Sequence, residues 1–242
     1  MTKSEILGFI SKYSLGGNVE SVIWKSKDKS ISTDFVSTDK TLKGTITMNS
    51  CNIEHGEYGI FNTSQLVRMI SILDDTQKGS LHTIINKQDG KDIGIQFTDG
   101  KMVVNFILAD MDVIPKVPEL KMTPTFTSTT NITDEFTSRF IKSQSALSDL
   151  DYFTVNHDGI GTFIIFGYAN TNTNKIDFPI DTEYTGDIQP IHFSSNLMRE
   201  ILVANKGIPG TMEISPVGLC RVKFNTSTYS AEYYLVNKEI GE

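Results

Sequence analysis

The chain has 242 residues, of which 38% are hydrophobic and 21% charged, with a formal charge of −7 and an isoelectric point near 5.2. That length gives room for a sizeable core in one or two domains, and the composition is that of an ordinary globular protein rather than a disordered or fibrous one. The acidic balance excludes a uniformly basic nucleic-acid-binding surface, so any phosphate contact has to come from locally clustered cations.

The N-terminal MTKSEILGFISKYS lacks the uninterrupted apolar core of a secretory leader, and no run approaches the ~20 apolar residues of a membrane-spanning helix. A cytosolic protein with no membrane role is expected. Within this stretch Ile6, Ile10 and Tyr13 make one apolar face with Phe9 at its margin, and Gly16-Gly17 stop the helix. Lys12 lies off that face. From Val19 to Ile60, β-branched and aromatic residues alternate with polar ones between Lys/Asp/Gly turns, which predicts strands.

FNTSQLVRMISILDD predicts a second helix, with Leu66, Ile70 and Leu73 as its stripe and Thr63 or Ser64 as its cap. Arg68 faces away from Leu66. Three strands follow, joined at Asp89-Gly90 and Asp99-Gly100, dipeptides that suit tight hairpins. Prolines 115, 118 and 124 then mark an extended connector over residues 111–124.

After the connector the pattern begins again. Ile132, Phe136, Phe140, Ser143 and Leu147 fall on one arc at about 100° per residue, with Thr133 as cap and Asp134 and Glu135 at the positive end of the dipole. Arg139 and Lys142 lie off this apolar arc. Tyr152–Asn156 and Thr162–Phe166 flank a hairpin signal, and KIDFPI reads as a strand whose Pro179 favours a sheet edge. A fourth helix begins near 194, with Leu197, Ile201 and Ala204 on one side and Arg199 and Lys206 on the other, before three more strands. Each half thus reads as helix, several strands, helix, three strands. This internal repeat predicts an α+β protein of two similar domains, residues 1–110 and 125–242.

No coherent catalytic set emerges, and a non-enzymatic protein without cofactor or metal is expected. His55, His82, His157 and His192 lack the spacing of helical metal ligands. Gly159-x-Gly161 lacks the third glycine and the helix of a dinucleotide loop, and Ser26-x-x-Lys29 sits in a lysine-rich turn. Asp74-Asp75 and Asp110-x-Asp112 read as turn acids, and Cys51 and Cys220 as buried free thiols. What does stand out is the placement of arginine. Only four arginines occur, and Arg68, Arg139 and Arg199 all fall on the polar sides of predicted helices, accompanied by Lys12, Lys142 and Lys206. Such a surface suits salt-sensitive, sequence-independent contact with phosphates.

At GIFNTSQLVRMISILDD, at TPTFTSTTNITDEFTSRFIKSQSALSDLDYFTVNHDGIGTFIIFG and at the terminal YSAEYYLVN, the chain resembles the DNA polymerase sliding clamps, most closely those of T-even-type phages. The resemblance implies a homotrimeric ring that encircles double-stranded DNA, tethers the replicative DNA polymerase, is placed by a clamp-loader ATPase and works in the cytoplasm of an infected bacterium. It implies that Lys12, Arg68, Arg139, Lys142, Arg199 and Lys206 face the DNA, with Lys3 a weaker candidate because its direction leans to the apolar side. It further implies a partner-peptide pocket at Ile114, Pro115, Val117, Leu120 and Leu235. Subunit contacts would run along Met102, Val104, Phe106 and Leu108 on one edge strand and Ile176 and Phe178 on another. A ring-forming phage structural or adaptor protein is the alternative that two similar strand-rich domains also suit, and a small-molecule hydrolase would require a pocket with convergent polar groups.

Overall fold

The computed structural model describes residues 1–74, 81–119, 124–168, 174–184 and 189–239. The chain divides into two compact units, Met1–Thr38 with Gly44–Pro118 and Thr226–Ala231, and Asp39–Lys43 with Glu119–Asn225 and Glu232–Glu242.

In the first unit, α1 (Lys3–Ser14) buries Ile6, Phe9, Ile10 and Tyr13. Its start is a capping box: Thr2 Oγ1 accepts from Glu5 N at 3.1 Å, and Glu5 returns a carboxylate oxygen to Thr2 N at 2.7 Å. Strands β1 (Val22–Lys27), β2 (Ser30–Val36), β3 (Leu42–Asn49) and β4 (Gly56–Ile60) follow, then α2 (Thr63–Ser71), then β5 (His82–Gln88), β6 (Lys91–Thr98) and β7 (Val103–Ile107). The first four lie in the order β3-β2-β1-β4, and the last three in the order β5-β6-β7. Strict alternation of buried and half-buried positions along β2 and β3 supplies an apolar face for the helices. There Phe9 meets Trp24 and Tyr13 edge-on at 5.7 and 5.6 Å. The buried Tyr13 hydroxyl accepts from Trp24 Nε1 at 3.2 Å, so this core carries its polar atoms paired. Gly59 lets the end of β7 come close: Ala109 N donates to Gly59 O at 2.9 Å, and a Cβ at Gly59 would sit 2.4 Å from the Ala109 carbonyl oxygen.

The second unit opens with β8 (Ser128–Ile132), which takes Ile132 out of the predicted helix. α3 (Asp134–Ala146) starts after its cap Thr133, and β9 (Tyr152–His157), β10 (Thr162–Phe166), β11 (Ile176–Ile180), β12 (Thr182–Tyr184) and β13 (Ile191–Ser194) follow. α4 (Ser195–Ala204), β14 (Gly210–Ser215), β15 (Leu219–Asn225) and β16 (Tyr229–Val236) complete the chain order. Phe140 on α3 packs edge-on against Phe153 and Phe166 at 5.0 and 5.3 Å. Burying one such ring contributes roughly 1.5–3 kcal/mol.

The strand order β11-β10-β9-β13 reproduces β3-β2-β1-β4 as third, second, first, fourth. β14, β15 and β16 correspond to β5, β6 and β7, and β8 lies beside β14 where, in the first unit, Met1 O accepts from Leu81 N at 2.9 Å. Phe9 and Phe140, each seven residues past its helix cap, occupy matching core positions. The short β12 is an addition that the sequence pattern does not announce.

Candidate nucleic-acid interface

Within each unit the two helices pack against each other. Gln144 Nε2 on α3 donates to Asn196 Oδ1 on α4 at 3.0 Å. In the first unit Lys3 Nζ donates to Ser71 O and Leu73 O at 2.8 and 2.6 Å. Lys3 therefore satisfies carbonyls at the C-terminal end of α2, where a cation also complements the helix dipole. Its side chain turns onto the neighbouring helix, in keeping with its expected lean away from the polar face.

The start of α2 differs from expectation as well. Asn62, rather than Thr63 or Ser64, is the cap and accepts from Gln65 N at 2.8 Å. Thr63 Oγ1 turns inward to Glu20 O at 3.0 Å, and the Glu20 carboxylate takes Ser64 N at 2.9 Å as well as the Ser64 hydroxyl. Counted from the caps, Arg68 and Arg139 both stand six residues in, whereas Arg199 stands five in from Ser194. The three arginines are thus not strict repeat equivalents; Arg199 is rotated by about 100° relative to the other two.

The six predicted DNA-facing cations are not equally available. Arg68 is exposed, and no described carboxylate pairs with it. Lys142 and Lys206 are exposed too. Arg139 reaches back one turn to Glu135 at 2.5 Å, both side chains lying in solvent. Arg199 is half-buried against Glu200. Lys12 lies over the Tyr229 ring at 4.3 Å, and burial lowers the pKa of its ammonium. The fourth arginine, Arg221, grips Glu213 with two nitrogens at 2.7 and 2.8 Å and stacks on Phe126, so it is a structural ion pair on the sheet.

The four helices together with Lys206 hold seven cations against four carboxylates, Glu5, Asp134, Glu135 and Glu200, although acids outnumber bases 29 to 22 in the chain. The helices themselves thus carry a small net positive balance in an acidic chain.

The other predicted sites divide by burial. On β7, Val104 and Phe106 point into the core, whereas Val103 and Ile107, and Met102 just before the strand, are exposed, Ile107 to 71%. Leu108 and Ile176 are half-buried, and Phe178 is buried against Phe136 at 6.4 Å. Both strands predicted to pair between subunits, β7 and β11, end their sheets. Of the proposed peptide pocket, Ile114 is buried, Pro115 exposed and Val117 half-buried in the first unit, and Leu235 is buried in the second. Leu120 lies outside the described residues.

Several of the residues weighed for other chemistry have structural partners. Ser26 Oγ donates to Ile53 O at 2.9 Å, Asp110 Oδ1 accepts from Asp112 N at 3.1 Å, and His192 Nδ1 lies 2.8 Å from Thr154 Oγ1. Asp75 lies outside the described residues. Cys51 and Cys220 are buried free thiols whose pKa values burial raises. Among the described residues no group of three or more His, Cys, Asp or Glu side chains could hold a metal ion, and no helix is long and apolar enough to cross a membrane.

No family model matches the sequence, and no curated protein matches it. The fold is nonetheless similar to solved structures along its whole length. A structure of A. fulgidus PCNA with the C-terminal region of FEN-1 bound superposes with a TM-score of 0.73 at 16% identity, covering 100% of this chain and 98% of that one. Proliferating Cellular Nuclear Antigen from Entamoeba histolytica gives 0.68 at 14% identity, covering 98% and 94%. The chain has the α+β clamp-type fold, two similar domains each with two helices packed on antiparallel sheets.

Proposed function

We propose that this protein is a sliding clamp, a non-catalytic homotrimeric ring that encircles duplex DNA and tethers a replicative DNA polymerase. Residues 1–110 and 125–242 are its two domains, joined by the connector 111–124. One observation carries this reading: an acidic chain with a clamp-type fold keeps a net positive balance on its four helices. In the ring those helices face the DNA, and Arg68, Lys142 and Lys206 make the principal phosphate contacts. Arg139, Arg199 and Lys12 contribute after exchanging their present partners. Contacts to phosphate alone carry no sequence information, so the ring can translate along the duplex.

The edges β7 and β11 join neighbouring subunits, and Ile114, Pro115, Val117, Leu120 and Leu235 are the candidate contacts for partner peptides. A clamp-loader ATPase opens the ring, and the T-even-like sequence features support a bacteriophage protein acting in the cytoplasm of its host. Retention on DNA of different topology tests the function. Protein assembled at high concentration on nicked circular duplex should co-elute with it through a sizing column and be lost when a restriction enzyme linearises the circle. Equal retention on circular and linear DNA overturns the reading, since it shows adhesion rather than encirclement.

A further inference from the structure

The dipeptide Asp-Gly occurs three times, at Asp89-Gly90, Asp99-Gly100 and Asp158-Gly159, and the fold gives the three aspartates unequal surroundings. Glycine has no side chain to shield its amide, so its nitrogen can close on the carboxyl carbon of the preceding aspartate and form a succinimide ring. Room does not separate the three sites, since a Cβ built on Gly90, Gly100 or Gly159 would meet nothing within 4 Å.

The carboxylates do separate them. Asp99 engages both oxygens: Oδ1 accepts from Lys101 N and Met102 N and Oδ2 from Asp74 N, all at 2.8 Å. These N–H groups hold the carboxyl down to about 2 against an ordinary 3.8. Asp158 Oδ1 accepts from Ile160 N and Gly161 N at 2.9 and 3.0 Å, which likewise lowers its pKa. In both turns the side chain is anchored on amides two and three residues ahead, past the adjoining glycine. Asp89 has no such anchor. It is exposed in the turn that joins Gln88 to Lys91, and its carboxylate meets no donor or cation among the described residues. Positive φ at both Asp89 and Gly90, 50° and 76°, makes this a tight hairpin turn held by backbone conformation and strand pairing, so the side chain is left out of it.

We propose that Asp89 is a site of spontaneous covalent modification, cyclising onto Gly90 N and reopening to isoaspartate. The bond from Gly90 N to Asp89 Cγ forms as a carboxyl C–O bond breaks, and the departing oxygen leaves as water with the carboxyl and amide protons. Water then adds back to the ring. Opening at the Asp89 α-carbonyl frees an α-carboxylate and routes the chain through Cβ and Cγ, which lengthens the link between the paired Gln88 and Lys91 by one backbone atom. Because oxygen departs as water, the protonated carboxyl is the reacting form. A carboxyl that titrates at about 2 in place of 3.8 is protonated more than about tenfold less often near neutral pH, so Asp99 is protected twice, by geometry and by charge. The product is a substrate for an enzyme that methylates isoaspartyl carboxylates from S-adenosylmethionine.

The test is ageing of folded full-length protein near neutral pH, followed by peptide mapping with electron-transfer fragmentation, which distinguishes isoaspartate from aspartate. Methyl transfer from S-adenosylmethionine by an isoaspartyl carboxyl methyltransferase gives an independent count. Asp89 should convert at least about tenfold faster than Asp99, and faster than Asp158. In denaturant, where the anchoring hydrogen bonds are lost, the three sites should convert at similar rates. Asp89→Ser should remove most of the methyl acceptance of aged folded protein while leaving its circular dichroism unchanged. Conversion at Asp99 or Asp158 that matches Asp89 in the folded protein overturns the proposal, as does a folded chain in which Asp89 stays intact. A denatured chain in which Asp89 leads by the same factor also overturns it, since neighbouring residues rather than the fold would then set the rate. The clamp reading stands or falls separately from all of these results.

Discussion

Arg68→Gln is the most direct probe of the helix surface. Its guanidinium is exposed on α2, pairs with no described carboxylate, and lies opposite the buried Leu66 and Ile70. Neutralising it therefore removes charge without opening a cavity or stranding a partner, and stability should change by no more than ~0.5 kcal/mol. Removing one cation from one phosphate lowers the slope of log K against log salt by about 0.9, so a three-subunit ring should show a reduction between ~0.9 and ~2.7 according to how many copies reach the duplex. Equilibrium binding of the assembled protein to duplex DNA across a salt series measures this directly, with Lys87→Gln as the control. Lys87 is a β5 cation already held by Glu54 at 2.5 Å, and its removal should leave the slope unchanged. An unchanged slope for Arg68→Gln, or an equal reduction for Lys87→Gln, refutes the assignment of the helices as the DNA-facing surface.

Three further outcomes follow from the same geometry. Glu135→Gln frees Arg139 from an exposed pair worth only ~0.3–0.5 kcal/mol, so DNA binding should tighten and its salt slope steepen by up to about 0.9 per participating subunit; weaker binding in the same titration contradicts this. Phe140→Ala empties a fully buried site against Phe153 and Phe166 and should cost about 3–5 kcal/mol in chemical denaturation, a change below ~1 kcal/mol showing that the second core does not depend on this ring. The Asp99 carboxyl is held down to about 2 by N–H groups of Met102, Asp74 and Lys101, against an ordinary 3.8. Its folded pKa is depressed, so its stabilisation is complete above the ordinary value and is lost as pH falls from there through about 2; an NMR titration of Asp99 that midpoints near 3.8 contradicts it.

The sequence is most legible where one local force acts alone. Four amphipathic arcs predict the helices, Asp89-Gly90 predicts a turn whose two residues both have positive φ, and Pro179 points to the sheet edge that β11 occupies. Legibility fails where a distant residue competes. Thr63 and Ser64 are good capping types, but Glu20 engages both and the cap passes to Asn62. Lys12 reads as a polar-face cation until Tyr229, far along the chain, supplies an aromatic platform for it. On β7 the run VVNFI is apolar on both faces, so period two alone does not say which side is inward and does not separate exposed Val103 and Ile107 from buried Val104 and Phe106.

The uneven availability of the cations bears on how such a protein holds DNA. Of the six predicted DNA-facing groups, Arg139 and Arg199 have carboxylate partners and Lys12 an aromatic one, so each phosphate interaction they make is an exchange with little net gain. In the proposed clamp Arg68, Lys142 and Lys206 carry most of the attraction, and three exposed cations per subunit on an acidic chain would give weak, salt-sensitive binding. Weak contacts lower the barrier between neighbouring positions on the duplex and favour translation. They also cannot account for persistence, so in the proposed clamp persistence comes from closure of the ring. The free energy that keeps the protein on DNA is then located at the subunit edges, and Met102→Asp should shorten residence on circular DNA more than Arg68→Gln does. A longer residence for Met102→Asp than for Arg68→Gln, measured on the same nicked circle, would place retention in the helices after all.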